Sequence, residues 1–136
     1  MVNAITHRGP DESGMWHDDA SGVALGHRRL SILELSAAGS QPMHSADKRL
    51  VLVFNGEIYN HLDLREQLQE HGKAPSWNGH SDTETLLACI SAWGLERTLK
   101  AAVGMFAIAL WDRHRRMLSL ARDRMGEKPL YWGWQG

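Results

Sequence analysis

Residues 50–54, Leu-Val-Leu-Val-Phe, are apolar at every position and are followed at once by Asn55-Gly56. A short, uninterrupted run of this kind is typical of a strand that is buried on both faces. Asn-Gly is a pair that often turns the chain where a strand ends. The sequence therefore predicts a central strand, a turn at Asn55-Gly56, and apolar cover on both sides of the strand.

A second apolar run, residues 105–111, predicts another buried strand. The polar residues 112–116 then separate it from a third apolar segment, 117–121, in the manner of a hairpin. The arginines of this turn could also form a nucleic-acid patch. Because no aromatic residues are interleaved with them, a solvated turn is the favoured interpretation.

Three helices are indicated between these strands. Asn60 can cap a helix that continues to His71, with Gly72 just after its end. Ser81-Asp82-Thr83-Glu84 fits a capping box before a helix that ends at Gly94. A shorter helix is predicted over residues 95–102.

Shorter strands are predicted near both ends of the chain. Residues 15–16 and 23–27 form a pair joined by a polar turn at 18–22. Residues 130–134 form a last strand, and Trp132 and Trp134 are expected to join Trp111 in filling the core. Antiparallel strands with two amphipathic helices as cover predict an α+β layered fold.

Composition excludes several classes of function. The 136 residues are enough for one domain with its own core, and a net charge of -1 gives no argument for binding nucleic acid or an anionic membrane. No apolar stretch is long enough to cross a bilayer, and no secretory signal is evident. The eight histidines form no recognisable metal motif, so no metal site is predicted. The single cysteine suits a reducing compartment, and we expect a cytoplasmic protein.

Six collinear motifs resemble the glutaminase domain of glutamine-dependent asparagine synthetases, a class II glutamine amidotransferase. They cover nearly the whole chain, and their number and order make the resemblance specific. The motifs are His7-Arg8-Gly9-Pro10-Asp11, His27-Arg28-Arg29-Leu30-Ser31-Ile32, Phe54-Asn55-Gly56-Glu57-Ile58-Tyr59-Asn60, Ser81-Asp82-Thr83-Glu84, Gly104-Met105-Phe106-Ala107 and Arg122-Asp123-Arg124-Met125-Gly126-Glu127-Lys128-Pro129-Leu130-Tyr131.

The resemblance implies an N-terminal-nucleophile hydrolase-like fold, with αββα layers in which two antiparallel sheets lie between helices. Residues 1–136 then correspond to a partial glutaminase domain. The first strand of the family has no counterpart, because residues 1–5 resemble the end of the helix before the Arg-Gly-Pro loop. The synthetase domain is also absent from the sequence. Its ATP and Mg²⁺ would be the only cofactors, and no cofactor is expected in this chain.

The resemblance also assigns the ends of a glutamine substrate. Arg29 would grip the α-carboxylate, for which a guanidinium offers two parallel hydrogen bonds. Asp82 would bind the α-ammonium group. Asn55 and the backbone N–H of Gly56 would form the oxyanion hole for the side-chain amide. Glu57 would help to hold the amino acid.

Leu30, Ile32 and Leu33 would belong to the loop that wraps the substrate. Each assignment has a structural alternative, such as a surface arginine for Arg29 or a simple helix start for Asp82. The intact order of the motifs favours the functional interpretation.

The family's nucleophile is an N-terminal cysteine, whose thiolate attacks the amide while its own α-amine acts as the base. The sequence instead begins Met1-Val2, so we expect the chain alone to be inactive. Its one cysteine, Cys89, lies within a predicted helix, with no adjacent cation to lower its pKa. A buried structural thiol is therefore the favoured interpretation of Cys89.

The main hypothesis is a glutamine amidotransferase domain that releases ammonia from L-glutamine for amidation of an activated carboxylate by the parent protein's synthetase domain. Alternatives are a non-catalytic module that binds glutamine or docks on a synthetase, and a gene fragment with no independent role. The ammonia acceptor, aspartate or another carboxylate or sugar, is not specified by these motifs. Because an internal strand is expected to be missing, we predict a marginally stable chain that self-associates through an exposed sheet edge.

Overall fold

The computed structural model describes residues 2–30 and 37–134. Six strands occur in this part of the chain: β1 Glu12–Asp18, β2 Val23–Arg29, β3 Met43–His44, β4 Leu50–Ile58, β5 Gly104–Asp112 and β6 Met117–Arg122. The helical segments are α1 His61–Glu70, α2 Asp82–Trp93, α3 Leu95–Ala101 and 3₁₀ turns at Val2–Arg8 and Ala37–Gly39. Within the described ranges, no helix has the length and apolarity needed to span a membrane.

The strands form two antiparallel sheets. One contains four strands in the order β3-β4-β5-β6, and the other is the β1–β2 hairpin. The central pair, β4 and β5, is in register from Leu50 opposite Asp112 to Ile58 opposite Gly104. The hairpins predicted around residues 18–22 and 112–116 are both confirmed.

The larger core lies between the four-stranded sheet and the helices. Alternate residues of β4 point to this side, and Leu52 has no exposed surface. They pack against the buried faces of α1 and α2, which carry Leu64, Leu68, Leu86, Leu87, Cys89 and Ile90. Each leucine buried in this way contributes about 1.5–3 kcal/mol. A shift of β4 by one residue would expose the whole set, so the core fixes the register.

The opposite face of the four-stranded sheet packs on the β1–β2 hairpin. Val51 and Trp111 lie opposite each other on β4 and β5, and both contact Leu25 of β2. Both are almost fully buried. The predictions that residues 50–54 form a strand buried on both faces, and that Trp111 fills core volume, are therefore confirmed. In the described ranges, helices cover one face of the four-stranded sheet and the hairpin covers the other.

The predicted turn at Asn55-Gly56 is wrong, because β4 continues through both residues to Ile58. Gly56 lies opposite Phe106 of β5. A Cβ atom on Gly56 would lie 2.1 Å from the Met105 carbonyl oxygen and 2.6 Å from Cα of Phe106. The glycine therefore allows close approach of two strands and does not turn the chain.

The predicted ends of the helices agree with the structure, but one capping bond does not. Asn60 occupies the cap position of α1 and makes no capping hydrogen bond there. Its side chain instead donates to the Ala101 carbonyl at 3.1 Å and accepts from the Val103 N–H at 2.9 Å. Asn60 thereby joins the start of α1 to the segment between α3 and β5.

The Ser81 cap of α2 is confirmed, since its hydroxyl accepts a hydrogen bond from the Glu84 N–H at 3.1 Å. The reciprocal half of the predicted capping box is different. The Glu84 carboxylate accepts from the N–H groups of Asn78 and Gly79, at 2.7 and 3.1 Å, and so shapes the loop before the helix. Gly72 and Gly94, both with positive φ, end α1 and α2 as predicted.

The strand predicted at residues 130–134 is absent from the described structure, where these residues form no sheet pairing. Trp132 is 79% exposed and Trp134 is 98% exposed, so the prediction that they fill the core is also wrong. Their apolar and aromatic composition is compatible with a strand, but a strand requires a neighbour. β6 is the last strand of the described sheet, and these residues do not pair with it.

Candidate functional site

The edge of β4 that faces away from β5 carries an N–H donor at Gly56. On this edge, Phe54 N–H donates to Oε1 of Gln41 at 2.7 Å, and Ile58 N–H donates to Oδ2 of Asp82 at 2.8 Å. Backbone N–H groups of an antiparallel strand alternate in direction with every residue. The Gly56 N–H, midway between the other two, therefore points to the same side. No side chain of the described residues accepts it, which leaves this N–H as a candidate donor to a ligand.

Asn55 and Glu57 project from a different side of the same strand end. Side chains alternate between the faces of a sheet, so both lie on the face that carries Val51 and Val53 and is turned toward the β1–β2 hairpin. Asn55 is exposed and Glu57 is half-buried. The Asn55 amide and the Gly56 N–H are therefore both accessible at one end of β4.

Arg29, at the end of β2, lies toward the same end of β4. Leu25 of β2 belongs to the same buried cluster as Val51. His27, two residues further on, lies near the backbone of Phe54: burial is the main cause that lowers the pKa of His27, and hydrogen bonding with the Phe54 backbone opposes it. The two strands thus run in the same direction, and the next residue on this face of β2 is Arg29. Arg29 is nearly buried, at 9% exposure. Its guanidinium is therefore a nearly buried cation on the face of β2 that carries Leu25.

The Arg29 guanidinium has a carboxylate partner that sequence analysis missed. Nη1 of Arg29 donates to Oε2 of Glu12 at 3.0 Å, from the residue directly opposite it in the hairpin. The Ser40 hydroxyl donates to Oε1 of the same carboxylate at 2.6 Å. The hydrogen bonds from Ser40 and then Arg29 lower the pKa of Glu12 below its ordinary value. Glu12 thus remains ionised and orients the nearly buried Arg29 guanidinium.

Asp82 is the first residue of α2 and is almost fully buried, at 6% exposure. Its Oδ2 accepts from the Ile58 N–H, and its Oδ1 accepts from the Thr83 N–H at 2.8 Å. An ionised carboxylate can accept about four hydrogen bonds, so further donors can bind. A negative charge at this position is also favoured by the positive end of the helix dipole. The structure brings Asp82 to the end of β4 that holds Asn55 and Gly56.

A second residue that the sequence did not indicate, Arg65 of α1, holds the start of α2 in place. Its guanidinium donates to the carbonyl groups of Gly79 and Ser81, at 3.0 and 3.2 Å, and to the Thr85 hydroxyl at 2.7 Å. It also pairs with the carboxylate of Glu84 at 3.3 Å. The ring of Trp77 covers its other side, 3.9 Å from Cζ of Arg65. These contacts surround the residues on both sides of Asp82.

Of the three residues predicted for the substrate loop, one lies in the described ranges. Leu30 follows β2 directly and is 58% exposed. Ile32 and Leu33 lie outside the described residues. The assignment of these three residues to a substrate loop stays a prediction.

Cys89 has the structural role that was predicted for it. It lies in the middle of α2 and has no exposed surface. Burial raises the pKa of the Cys89 thiol to about 12. The thiolate is the nucleophilic form, so Cys89 is inert at neutral pH.

The candidate site lies at a strand end and is separate from a nearby cavity. A cavity of about 830 Å³ lies between α2 and residues 38–47, and Asn55, Gly56 and Arg29 are not among the described residues that line it. No group of three or more His, Cys, Asp or Glu side chains in the described ranges could hold a metal ion. The Gly56 N–H, the Asn55 amide and the charged side chains of Arg29 and Asp82 offer hydrogen bonds and charge to a ligand.

Comparison with known sequences supports the expected family. The family model described as a glutamine amidotransferase domain matches residues 1–136. A Mycobacterium tuberculosis protein, provisionally named a glutamine-hydrolysing asparagine synthetase, is 50% identical over 135 residues, covering 93% of this chain and 20% of that protein. Asparagine synthetase 1 of Bacillus subtilis, also named as glutamine-hydrolysing, is 43% identical over 132 residues, covering 97% of this chain and 20% of the relative. The chain thus spans about one fifth of the length of these relatives.

A solved structure supports the fold. The glutamine phosphoribosylpyrophosphate amidotransferase of Bacillus subtilis, complexed with ADP and GMP, superposes with a TM-score of 0.53 and 24% sequence identity. The match covers 71% of this chain and 22% of that chain. Together with the two antiparallel sheets and their helices, this likeness confirms the predicted N-terminal-nucleophile hydrolase-like fold class.

Proposed function

Because the chain belongs to the glutamine amidotransferase domain family, we propose that it provides the glutamine site and the oxyanion donors for releasing ammonia from L-glutamine. The Gly56 N–H carries this proposal, since it points outward from the end of β4 beside the exposed amide of Asn55. Attack on the side-chain amide of glutamine places negative charge on the carbonyl oxygen. Donors fixed in advance stabilise that charge, and loss of one such donor lowers kcat by about 10²–10³-fold.

The two charged ends of glutamine match two of the predicted residues. Arg29, oriented by Glu12, offers a nearly buried cation for the α-carboxylate. Asp82 offers a buried carboxylate with remaining acceptor capacity for the α-ammonium group. The half-buried Glu57 would act with Asp82 in holding the amino acid.

Hydrolysis also requires a nucleophile, and the buried Cys89 is unsuitable. The family resemblance assigns this role to an N-terminal cysteine, and residues 1–136 contain no other cysteine. We therefore propose that residues 1–136 supply binding and oxyanion stabilisation to a longer amidotransferase. Its ammonia would pass to a synthetase domain, where ATP and Mg²⁺ activate the acceptor carboxylate.

Calorimetric titration with L-glutamine tests the proposed site. Arg29→Lys keeps the positive charge but loses the paired geometry of the guanidinium, so we expect at least tenfold weaker binding. The matched control is Arg97→Lys, a substitution at an exposed arginine of α3, which should leave the affinity unchanged. Wild-type affinity in both Arg29→Lys and Asn55→Ala would contradict the proposed site, as would a wild-type chain that does not bind glutamine.

Glutamine binding without hydrolysis is the second candidate function, and the burial of the single cysteine favours it. A chain extended by an N-terminal segment that begins with cysteine distinguishes the two. Release of glutamate by the extended chain, and its loss when that cysteine is replaced by alanine, would support the amidotransferase. Tight glutamine binding with no glutamate release by the extended chain would support a binding module.

A further inference from the structure

Gln41 occupies the open edge of β4 immediately beside Gly56. β3 pairs with β4 only as far as Met43 opposite Leu52, so beyond this point the edge has no strand neighbour among the described residues. The Gln41 side chain takes the next position, where its Oε1 accepts from the Phe54 N–H at 2.7 Å. The following outward N–H on this edge is that of Gly56, roughly 6.7 Å further along an extended strand.

The bond to Phe54 also determines which way the Gln41 amide faces. A backbone N–H requires an acceptor, so the amide oxygen must point at Phe54 and the amide nitrogen, Nε2, must point elsewhere. Nε2 has no acceptor among the described residues. It is also not among their buried polar atoms that lack a partner. Nε2 therefore reaches solvent as an available donor at the edge that carries the Gly56 N–H.

The backbone at Gln41 is held against β1 by two contacts. The preceding residue, Ser40, donates to Glu12, the carboxylate that orients Arg29. The Gln41 carbonyl oxygen lies only 1.8 Å from the position that a Cβ atom of Gly14 would occupy, so the segment packs tightly on β1. Gln41 thus contacts β1, whose Glu12 orients Arg29, and β4, which carries Gly56.

We infer that Gln41 is a further substrate-binding residue, whose Nε2 donates a hydrogen bond to an oxygen atom of glutamine bound against this edge. The inference rests on the function proposed above and adds a donor to that site. The competing explanation is that Gln41 only stabilises the fold by accepting from Phe54. The two explanations can be distinguished experimentally, because the structural role uses Oε1 of Gln41 and the binding role uses Nε2.

Two substitutions distinguish the roles of Gln41. Gln41→Glu keeps an acceptor for the Phe54 N–H and removes the donor, whereas Gln41→Met removes both. Gln69→Glu, at an exposed site on α1, controls for the added negative charge. Each variant is titrated with L-glutamine by calorimetry, and its melting temperature is measured in parallel.

If Gln41 binds substrate, Gln41→Glu and Gln41→Met should both bind glutamine about tenfold more weakly than the wild type. Gln41→Glu and Gln69→Glu should both have the melting temperature of the wild type. Wild-type affinity in Gln41→Glu would overturn the inference and leave the proposed glutamine site intact. A loss of affinity in Gln41→Glu alone would also overturn it, because the added charge would then be the cause. If the wild-type chain does not bind glutamine, the proposed function fails and the role of Gln41 fails with it.

Discussion

The carboxylate of Asp82, at the start of α2, accepts a 2.8 Å hydrogen bond from the backbone N–H of Ile58, the last residue of β4. One hydrogen bond thus joins the helical layer to the end of the strand that carries Asn55 and Gly56. Any movement of α2 relative to β4 would displace a proposed ligand of the α-ammonium group from the proposed oxyanion donors. Folding and the proposed binding of glutamine therefore depend on the same carboxylate.

Asp82→Asn should weaken both stability and glutamine binding. One oxygen of the asparagine can still accept from Ile58, but its NH₂ group then faces the Thr83 N–H, so a donor meets a donor. Loss of a hydrogen bond to a buried charge costs about 1.5–3 kcal/mol, which urea unfolding would measure. Asp63→Asn, in the exposed first turn of α1, is the matched control and should change stability little. Equal stabilities for the two variants would contradict this account.

Gly56→Ala should destabilise the protein, because the added Cβ would contact backbone atoms of Met105 and Phe106, which cannot rotate away. Strand separation of this kind costs about 1–3 kcal/mol in comparable overpacked sites. The expected result is a lower urea midpoint. Gly133→Ala is the control, since nothing lies within 4 Å of its Cβ position. Unchanged stability in Gly56→Ala would show that β4 and β5 are not held at this separation.

Local sequence patterns predicted the elements well and the close approach of β4 to β5 poorly. Buried strands and helix ends are encoded by neighbouring residues, as in residues 50–54 and Gly94. The pair Asn55-Gly56 is compatible with a turn. It is equally compatible with a strand that a neighbouring strand approaches within contact distance. Only the partner, Phe106, distinguishes the two, and it lies 50 residues away in sequence.

The residues that support the candidate site differ in how far they could have been found. The role of Glu12 could have been predicted from the sequence. A hairpin in which Asp18 lies opposite Val23 also places Glu12 opposite Arg29, a residue of opposite charge. The roles of Gln41 and Arg65 could not have been predicted in this way. Gln41 lies in irregular chain between β2 and β4, and the contacts of Arg65 depend on how α1 packs against α2. No sequence spacing specifies either arrangement.

Arg65→Ala should be among the most destabilising substitutions in the chain. It removes one partner of an ion pair whose side chains are only 13% and 12% exposed, and it removes the hydrogen bonds that Arg65 donates to the Gly79 and Ser81 carbonyls. Breaking a buried pair in this way costs about 3–5 kcal/mol. Lys100→Ala removes the fully exposed pair with Glu96 and should have no measurable effect on unfolding. If Arg65→Ala and Lys100→Ala both change the free energy of unfolding by a similarly small amount, Arg65 does not hold the start of α2 in place.

Stability should fall in acid through Asp112, at the end of β5. Hydrogen bonds from Arg49 are the main cause that lowers the pKa of Asp112 to about 2. Since the folded pKa lies below the unfolded value of about 3.9, this stabilisation is complete above pH 4 and is lost as the pH falls toward 2. Between pH 5 and 2, the free energy of unfolding of the wild type should therefore fall by on the order of 2 kcal/mol more than that of Asp112→Asn.

The pH dependence of Asp112 is measured by urea unfolding of the wild type and Asp112→Asn between pH 5 and 2. Asp123, whose pKa is also lowered to about 2 by backbone hydrogen bonds, first of all from Lys128, titrates in the same range. The difference between the two proteins isolates Asp112, because Asp123 is present in both. Parallel pH curves would contradict the role of the Arg49 pair.

Self-association through β6 is the remaining prediction. β6 is the outermost strand of the four-stranded sheet in the described ranges, and its Leu118 and Leu120 are 46% and 43% exposed. An unpaired edge with exposed leucines favours pairing with another chain. Leu120→Lys should reduce association, measured as the average mass in sedimentation equilibrium at rising concentration. Leu62→Lys, on the exposed side of α1, should not reduce it. An equal reduction by both substitutions would exclude the β6 edge as the contact.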